Sequence, residues 1–293
     1  MQFAAKLKAY VSLIRVPYIL MLDLLCVLLI LTFQKGFGDL VSMVLAILTV
    51  SLVVAGGAAI NDYFDCESDW LTHPERVIPS NRISPIRAAQ FSALTFFAGL
   101  LASYAINVLA FGIVALNVVL FLLYPRVFKR ISGFLSNLVM GYLGATIALF
   151  AGAVVFKTID IAALSFVGMI AAAAIGLNVL KDVLTVDGDL KVGYPTLAIK
   201  RGIRIAAIVG ALFLLLSVLT SPFPFVVRVV GDAYLIPIAI WGAIGIFTAL
   251  SLLRAPDLLN VRKQLVMFTL YFPYLVGAAS AVYALTVAVW GFQ

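Results

Sequence analysis

Long apolar stretches separated by short polar segments run through the whole chain. Nine of these stretches reach the length of about 17 to 25 residues that a helix needs to cross the hydrocarbon core of a bilayer. They lie at residues 16–34, 40–60, 86–106, 108–124, 134–156, 159–180, 203–220, 233–253 and 265–290. The pattern predicts an all-α membrane protein with nine transmembrane helices, in which residues 1–293 form a single domain.

Basic residues are distributed very unequally between the two sets of connecting segments. If the N-terminus lies on one side, 17 of the 20 Lys and Arg residues fall on that side, and only Lys35, Lys157 and Arg228 fall on the other. Lys and Arg concentrate in cytoplasmic loops, so this distribution predicts a multi-pass cell-membrane protein with a cytoplasmic N-terminus. The segments at about 61–85 and 181–202 are then cytoplasmic as well.

Composition agrees with this class. The chain is 64% hydrophobic and 11% charged, which is typical of polytopic membrane proteins. A net charge of +7 would suggest a nucleic-acid partner in a soluble protein, but here the loop distribution accounts for it and no such partner is predicted. Of the two cysteines, Cys26 lies in an apolar stretch and Cys66 in a polar segment, so no disulfide is expected.

Two acidic segments with matching spacing interrupt the apolar pattern. Residues 61–69 read NDYFDCESD and residues 181–189 read KDVLTVDGD. Asp62, Asp65 and Asp69 follow a spacing that Asp182, Thr185 and Asp189 repeat, and eight of the 13 acidic residues lie in or beside these segments. Each segment follows an even-numbered apolar stretch, so the order predicts two four-helix repeats plus one further helix, with a site between the repeats.

The acidic segments are predicted to bind Mg²⁺. If the first segment extends the preceding helix, its three aspartates and Asn61 fall within about 100° on one face. Carboxylates that converge repel one another unless cations neutralise them, and ligands made only of oxygen suit Mg²⁺. Gly188 is expected to end the helix of the second segment. The predicted metal ligands are Asn61, Asp62, Asp65, Asp69, Asp182 and Asp189.

Basic residues flank both acidic segments. Arg76 and Arg82 follow the first, Lys191 follows the second, and Lys129 lies between the fourth and fifth apolar stretches. Acids that hold Mg²⁺, together with Lys and Arg that hold phosphate oxygens, make a diphosphate site. Since the apolar helices suit a long hydrocarbon tail, the predicted ligand is a lipid diphosphate.

Other interpretations remain open from the residues alone. A charged segment between membrane helices is often simply solvated, and acids with internal repeats also occur in transporters, although here most acids lie at helix ends. Asp23 either lines a cavity or pairs with a buried polar group. The only histidine, His73, excludes a histidine-based metal site and is a weak candidate for a catalytic base. Asn107, Asn117, Asn137 and Asn178 are more typical of hydrogen bonds between packed helices than of ligands.

Both acidic segments resemble motifs of the UbiA superfamily of intramembrane prenyltransferases. That family carries NDxxDxxxD after the second of nine helices, which residues 61–69 match. Residues 181–199 resemble its second motif, KDxxDxxGDxxxGxxTLP, and Tyr124, Phe128 and Lys129 resemble its YxxxFK segment. Residues 61–84 are most similar to the archaeal branch that makes digeranylgeranylglyceryl phosphate. The chain departs from the pattern at Thr185 (usually Asp), Leu177-Asn178 (usually Arg-Glu) and His73 (usually Arg).

The resemblance implies a UbiA-type bundle and Mg²⁺-dependent transfer of a prenyl group from its diphosphate. The implied catalytic residues are Asp65, Asp69, Asp182 and Lys129, and the implied diphosphate contacts are Arg76, Lys129, Lys191 and Arg82. The branch implies a geranylgeranyl donor and geranylgeranylglyceryl phosphate as a membrane-lipid acceptor in archaeal ether-lipid synthesis. An aromatic acceptor such as 4-hydroxybenzoate is the alternative. Because Arg82 lies beyond the metal ligands on the same loop, we also expect it to contact the phosphate of the acceptor.

Overall fold

Long helices account for most of residues 2–36 and 38–266, the part of the chain that the computed structural model describes. Long and short helices together are, in chain order, α1 (Gln2–Ile14), α2 (Val16–Gln34), α3 (Leu40–Phe64), α4 (Cys66–Thr72), α5 (Pro85–Ile106), α6 (Val108–Leu123), α7 (Gly133–Phe156), α8 (Ile161–Leu184), α9 (Val186–Val192), α10 (Leu197–Arg201), α11 (Ile203–Thr220), α12 (Phe223–Val226) and α13 (Leu235–Arg254). A π-helical turn, Tyr124–Phe128, extends α6. The chain is again helical over residues 258–266.

Eight of the described helices are long and apolar enough to cross a membrane. They correspond to the first eight predicted spans, and each begins within two residues of the predicted position. The protein is therefore an all-helical, multi-pass membrane protein. All but the first two residues of the predicted span 265–290 lie outside the described residues.

Consecutive membrane helices pack against each other, and α2 also packs against α7. One apolar core lies chiefly between α2, α3, α7 and α8, and a second lies between α8, α11 and α13. Asn107 Nδ2 donates to the Ala153 carbonyl and Asn117 Nδ2 to Thr146 Oγ1, both at 2.9 Å, so these two amides join helices as predicted. Asp23 takes the second of its two predicted roles, because Ser51 Oγ donates to its Oδ2 at 2.6 Å.

Each acidic segment contains a break in its helix. The break falls at Asp65 between α3 and α4, and at Thr185 between α8 and α9, with similar backbone angles of φ −85°, ψ 1° and φ −103°, ψ 7°. The expectation of one continuous helix was therefore wrong. So was the expectation for Gly188, which lies inside α9. That helix ends at Gly193, whose φ of +78° is a left-handed conformation that glycine adopts at little cost.

The two breaks bring the acidic segments together. After the break, each acidic segment continues in a seven-residue helix. These two short helices, α4 and α9, contact each other. The acids of the first half of the chain and those of the second half therefore lie at the same end of the bundle.

Candidate active site

The three aspartates of the first segment are buried, and each accepts hydrogen bonds from a different basic side chain. Asp62, Asp65 and Asp69 are 5%, 4% and 3% exposed. Arg15 Nη2 lies 2.6 Å from Asp62 Oδ1, Lys129 Nζ lies 2.5 Å from Asp65 Oδ2, and Arg76 Nη1 lies 2.7 Å from Asp69 Oδ2. Burying an unpaired charge is costly, so these three ion pairs are what allows the carboxylates to crowd together.

Asp65 is the point at which both halves of the chain meet. Its Oδ2 accepts from Asn61 Nδ2 at 2.9 Å as well as from Lys129, and its Oδ1 accepts from Tyr194 Oη at 3.2 Å. The Lys129 ammonium also lies 5.1 Å from the ring centroid of Tyr194 and 5.8 Å from that of Tyr124. Burial and the neighbouring Asp65 carboxylate raise the pKa of Tyr194 to about 12, so its hydroxyl stays a neutral donor at physiological pH.

The carboxylates of the second segment are held by neutral groups. Asn137 Nδ2 donates to Asp182 Oδ2 at 2.9 Å, and Thr185 Oγ1 donates to Asp189 Oδ2 at 2.7 Å. Among the described residues neither aspartate forms a salt bridge. Burial raises the pKa of Asp189, while the Thr185 hydrogen bond and the charge of Lys129 lower it in part. Lys129 therefore acts on both acidic segments.

Residues 2–36 and 38–266 contain no cluster of three or more Asp, Glu, His or Cys side chains arranged to hold a metal ion. What they contain is two sets of oxygen donors, one in each acidic segment. Asp182 and Asp189 of the second set form no salt bridge with a described residue, and carboxylate and amide oxygens are the ligands that Mg²⁺ takes together with substrate phosphates. The chemistry of these donors fits Mg²⁺, with the first set currently paired to Arg and Lys.

The predicted phosphate contacts fall in different places. Arg76 lies against Asp69, with Nη1 also 3.9 Å from Asp62 Oδ1. Arg82 forms no salt bridge with a described residue, and it lines a pocket of about 280 Å³ beside the first segment. Lys191 is exposed on α9, without an ion pair to any residue that the structure describes. The assignment of Arg76, Lys129, Lys191 and Arg82 as diphosphate contacts stays a prediction.

The family model of the UbiA prenyltransferase family matches residues 24–272. The chain belongs to this family. Membership makes this UbiA protein a prenyltransferase and sets aside the transporter interpretation. Membership of this family agrees with the position of both acidic segments at the ends of membrane helices.

Curated relatives of this UbiA prenyltransferase include digeranylgeranylglyceryl phosphate synthases. The protein of that name from Methanosarcina mazei is 38% identical over 192 residues, which cover 65% of this chain and 66% of that protein. The one from Methanococcus aeolicus is 34% identical over 253 residues, which cover 86% of this chain and 89% of that protein.

Solved structures share the fold. A structure described as that of digeranylgeranylglyceryl phosphate synthase in membranes has a TM-score of 0.77 and 28% identity, and covers 95% of this UbiA chain and 98% of its own. A UbiA homologue from Archaeoglobus fulgidus bound to GPP and Mg²⁺ has a TM-score of 0.72, covering 94% of this chain and 99% of its own. At 18% identity the second likeness shows the fold alone.

Three residues of the candidate site of this UbiA prenyltransferase lie outside the predicted set of ligands and phosphate contacts. Arg15 and Tyr194 had no predicted role in it. Asn137 was expected to form a hydrogen bond between packed helices, and this is confirmed, because Asn137 of α7 donates to Asp182 of α8; the prediction did not identify Asp182 as its partner. A partial signal existed for Arg15, the last basic residue before the first span, and for Tyr194, which follows the glycine of the second motif. Nothing in the spacing of residues identifies their partners.

Proposed function

We propose that this prenyltransferase transfers a geranylgeranyl group from its diphosphate to geranylgeranylglyceryl phosphate, the reaction that its relatives' names describe. The observation that carries the chemistry is the Asp65–Lys129–Tyr194 contact, which links the first acidic segment to the residues just after the second one, at one end of a bundle of apolar helices. The charged groups at this end of the bundle suit the diphosphate, and the apolar helices suit the prenyl chain. An aromatic acceptor such as 4-hydroxybenzoate is the alternative.

Mg²⁺ is part of this proposal. Asn61, Asp62, Asp65 and Asp69 would hold it on one side, and Asp182 and Asp189 on the other. Bound Mg²⁺ would act as a Lewis acid that offsets the negative charge on the leaving diphosphate. Lys129, Arg76 and Lys191 are proposed to donate N–H groups to the diphosphate oxygens.

The protein's own residues would act on both bonds of the transfer. The bond between the terminal prenyl carbon and the diphosphate oxygen breaks, and its electron pair leaves with the diphosphate. Lys129, held in place by Asp65 and flanked by Tyr194, would stabilise the charge that develops there. The acceptor hydroxyl oxygen then bonds to the prenyl carbon, and its proton passes to the diphosphate that has left. The surrounding apolar helices would keep bulk water from capturing the prenyl cation.

The finer architecture belongs to the same proposal. A ninth membrane helix, together with the eight described, would complete two four-helix repeats plus one helix. The segments 61–85 and 181–202 would face the cytoplasm with the N-terminus, as the distribution of Lys and Arg predicts.

A direct assay tests the acceptor. The purified protein is given geranylgeranyl diphosphate with either geranylgeranylglyceryl phosphate or 4-hydroxybenzoate, and the products are identified by mass spectrometry. We expect the doubly prenylated glycerol phosphate and no prenylated aromatic. Prenylation of 4-hydroxybenzoate alone would refute the lipid acceptor and leave the family membership intact.

A further inference from the structure

A pocket of about 280 Å³ lies beside the first acidic segment, which contributes Asp62 to its lining. Its polar lining comes from Ser12, Arg15, Asp62, Glu75, Arg76 and Arg82, and thus from α1, the start of α2, the end of α3 and the loop before α5. All the described residues that line it lie between positions 12 and 82. Among the described residues, the pocket is therefore formed by the first half of the chain, and Lys129 is not part of its lining.

Three guanidinium groups around one pocket are an arrangement that binds anions. Each keeps N–H groups without a partner among the described residues. Arg15 uses Nη2 on Asp62, Arg76 uses Nη1 on Asp69, and Arg82 uses Nε on Ser80 Oγ and Nη2 on the Glu75 carbonyl. A guanidinium has five N–H donors in a planar fork that matches phosphate geometry, so the unused donors can bind further oxygens.

The loop holds Arg82 in position before any ligand arrives. Its bonds to Ser80 Oγ (2.8 Å) and to the Glu75 carbonyl (2.5 Å) are local, and Ser80 Oγ in turn donates to the Arg76 carbonyl at 2.6 Å. The Ser80 hydroxyl thus ties the Arg82 guanidinium to the loop backbone at Arg76, while the Arg76 guanidinium is held by Asp69. A fixed fork loses less side-chain freedom on binding than a mobile one.

We infer that this pocket binds the phosphomonoester of the acceptor. The inference rests on the proposed function, which supplies an acceptor with its own phosphate. The donor diphosphate needs contact with both acidic segments and with Lys129, whereas the pocket touches the first segment only, at Asp62. The reacting hydroxyl and the phosphate of the acceptor share one glycerol unit, so a phosphate in a pocket that includes Asp62 keeps the hydroxyl beside the donor.

The test compares an acceptor with and without its phosphate. Equilibrium binding of geranylgeranylglyceryl phosphate and of geranylgeranylglycerol is measured on the detergent-purified full chain, without donor, for the wild type and for Arg82→Ala. We expect the wild type to prefer the phosphate form, and Arg82→Ala to bind that form about 10- to 100-fold more weakly, the range for losing a hydrogen bond between charged groups. Affinity for geranylgeranylglycerol should not change.

A matched variant and a kinetic measurement complete the test. Arg87→Ala removes an exposed Arg of α5 that does not line the pocket, and should leave both affinities unchanged. Arg82→Lys keeps the charge without the fork and should fall between wild type and Arg82→Ala. If Arg82→Ala does not fold, the affinity of Arg82→Lys for the phosphate form of the acceptor decides whether the pocket binds the phosphate. In turnover, Arg82→Ala should raise the KM for the phosphate acceptor and leave the KM for geranylgeranyl diphosphate unchanged.

The outcomes separate this inference from the proposed function. If the wild type does not prenylate geranylgeranylglyceryl phosphate, the proposed function fails, and the binding measurements still decide the pocket. The inference alone is overturned if the wild type shows no preference for the phosphate form, or if the Arg82 variants weaken both acceptor forms equally. It is also overturned if only the KM for geranylgeranyl diphosphate rises, since Arg82 would then be a donor contact.

Discussion

At the scale of single residues, the candidate site is organised by the hydrogen bonds that its aspartates accept. The acids of the first segment have Arg or Lys partners, and those of the second have an amide or a hydroxyl. Thr185, where the family usually has Asp, donates to Asp189 instead of adding a charge. The second segment therefore has a hydroxyl in place of the carboxylate that the motif usually has at this position, and its acids are Asp182, Asp187 and Asp189.

Asp65 should be the least replaceable of these acids. Asp65→Asn keeps the shape of the side chain but removes the charge that holds Lys129 and accepts from Tyr194. We expect kcat to fall at least about 100-fold, the scale for losing a group that stabilises the transition state. Steady-state kinetics measure the loss, and thermal unfolding in detergent should show a folded protein. Asp187→Asn, an exposed acid two residues before Asp189, is the matched control and should be nearly as active as wild type. A rate near normal for Asp65→Asn would mean that the ligand was assigned wrongly.

Metal dependence should vary with pH in a defined direction. Burial raises the pKa of both Asp69 and Asp189, so in the metal-free protein they take up a proton at a higher pH than an ordinary aspartate. Protons and Mg²⁺ compete for the same oxygens. Activity at fixed Mg²⁺ should fall as pH is lowered, added Mg²⁺ should partly restore it, and EDTA should abolish it. Full turnover in a chelated preparation would rule out the metal, and an acid decline insensitive to Mg²⁺ would exclude this competition.

At the scale of elements, the breaks at Asp65 and Thr185 and one close packing contact place the site. The segment after α9 lies against the first residue of α7, where the Gly133 N–H donates to the Pro195 carbonyl at 3.0 Å. A Cβ on Gly133 would come within 2.4 Å of the Thr196 Cα. Because a backbone atom cannot move aside as a side chain can, any residue larger than glycine displaces the segment that carries Tyr194.

Gly133→Ala should therefore reduce both stability and activity. Overpacking of this kind costs about 1–3 kcal/mol, and the displaced segment moves the Tyr194 hydroxyl away from Asp65. The control is Gly112→Ala in α6, where an added Cβ would meet nothing within 4 Å. Thermal unfolding and initial rates of both variants are compared in the same detergent. Equal behaviour of the two would show that the contact at Thr196 does not position the site.

At the scale of the whole molecule, both acidic segments lie at one end of the bundle, and the Lys and Arg distribution predicts that this end is cytoplasmic. Single cysteines at Ser80, Lys191 and Lys157, all exposed positions, test this in a background without Cys26 and Cys66. A membrane-impermeant maleimide should label positions 80 and 191 from the cytoplasmic face, and position 157 from the opposite face. Labelling of 80 and 191 from different faces would contradict both the topology and a shared site.

The sequence by itself determined the membrane helices, the family and the residue types of the site. The thickness of the bilayer sets the length of an apolar helix, so α2 and α11 have the predicted bounds. The carboxylate and amide side chains indicate the class of ligand, because their oxygens are the donors that Mg²⁺ prefers. Helical periodicity did not predict the breaks at Asp65 and Thr185, because nothing in the spacing of residues 61–69 or 181–189 specifies where a helix bends toward another.

Only the tertiary structure decided which residues meet. Asp62 pairs with Arg15 across 47 positions, Asp182 with Asn137 across 45, and Asp65 with Tyr194 across 129. Helical periodicity relates residues one or two turns apart. Partners this distant are brought together by the way α1, α3, α7 and α8 pack and by the turn at Gly193. That packing, which depends on contacts along the whole bundle, brought two separate acidic motifs to the same end of the molecule.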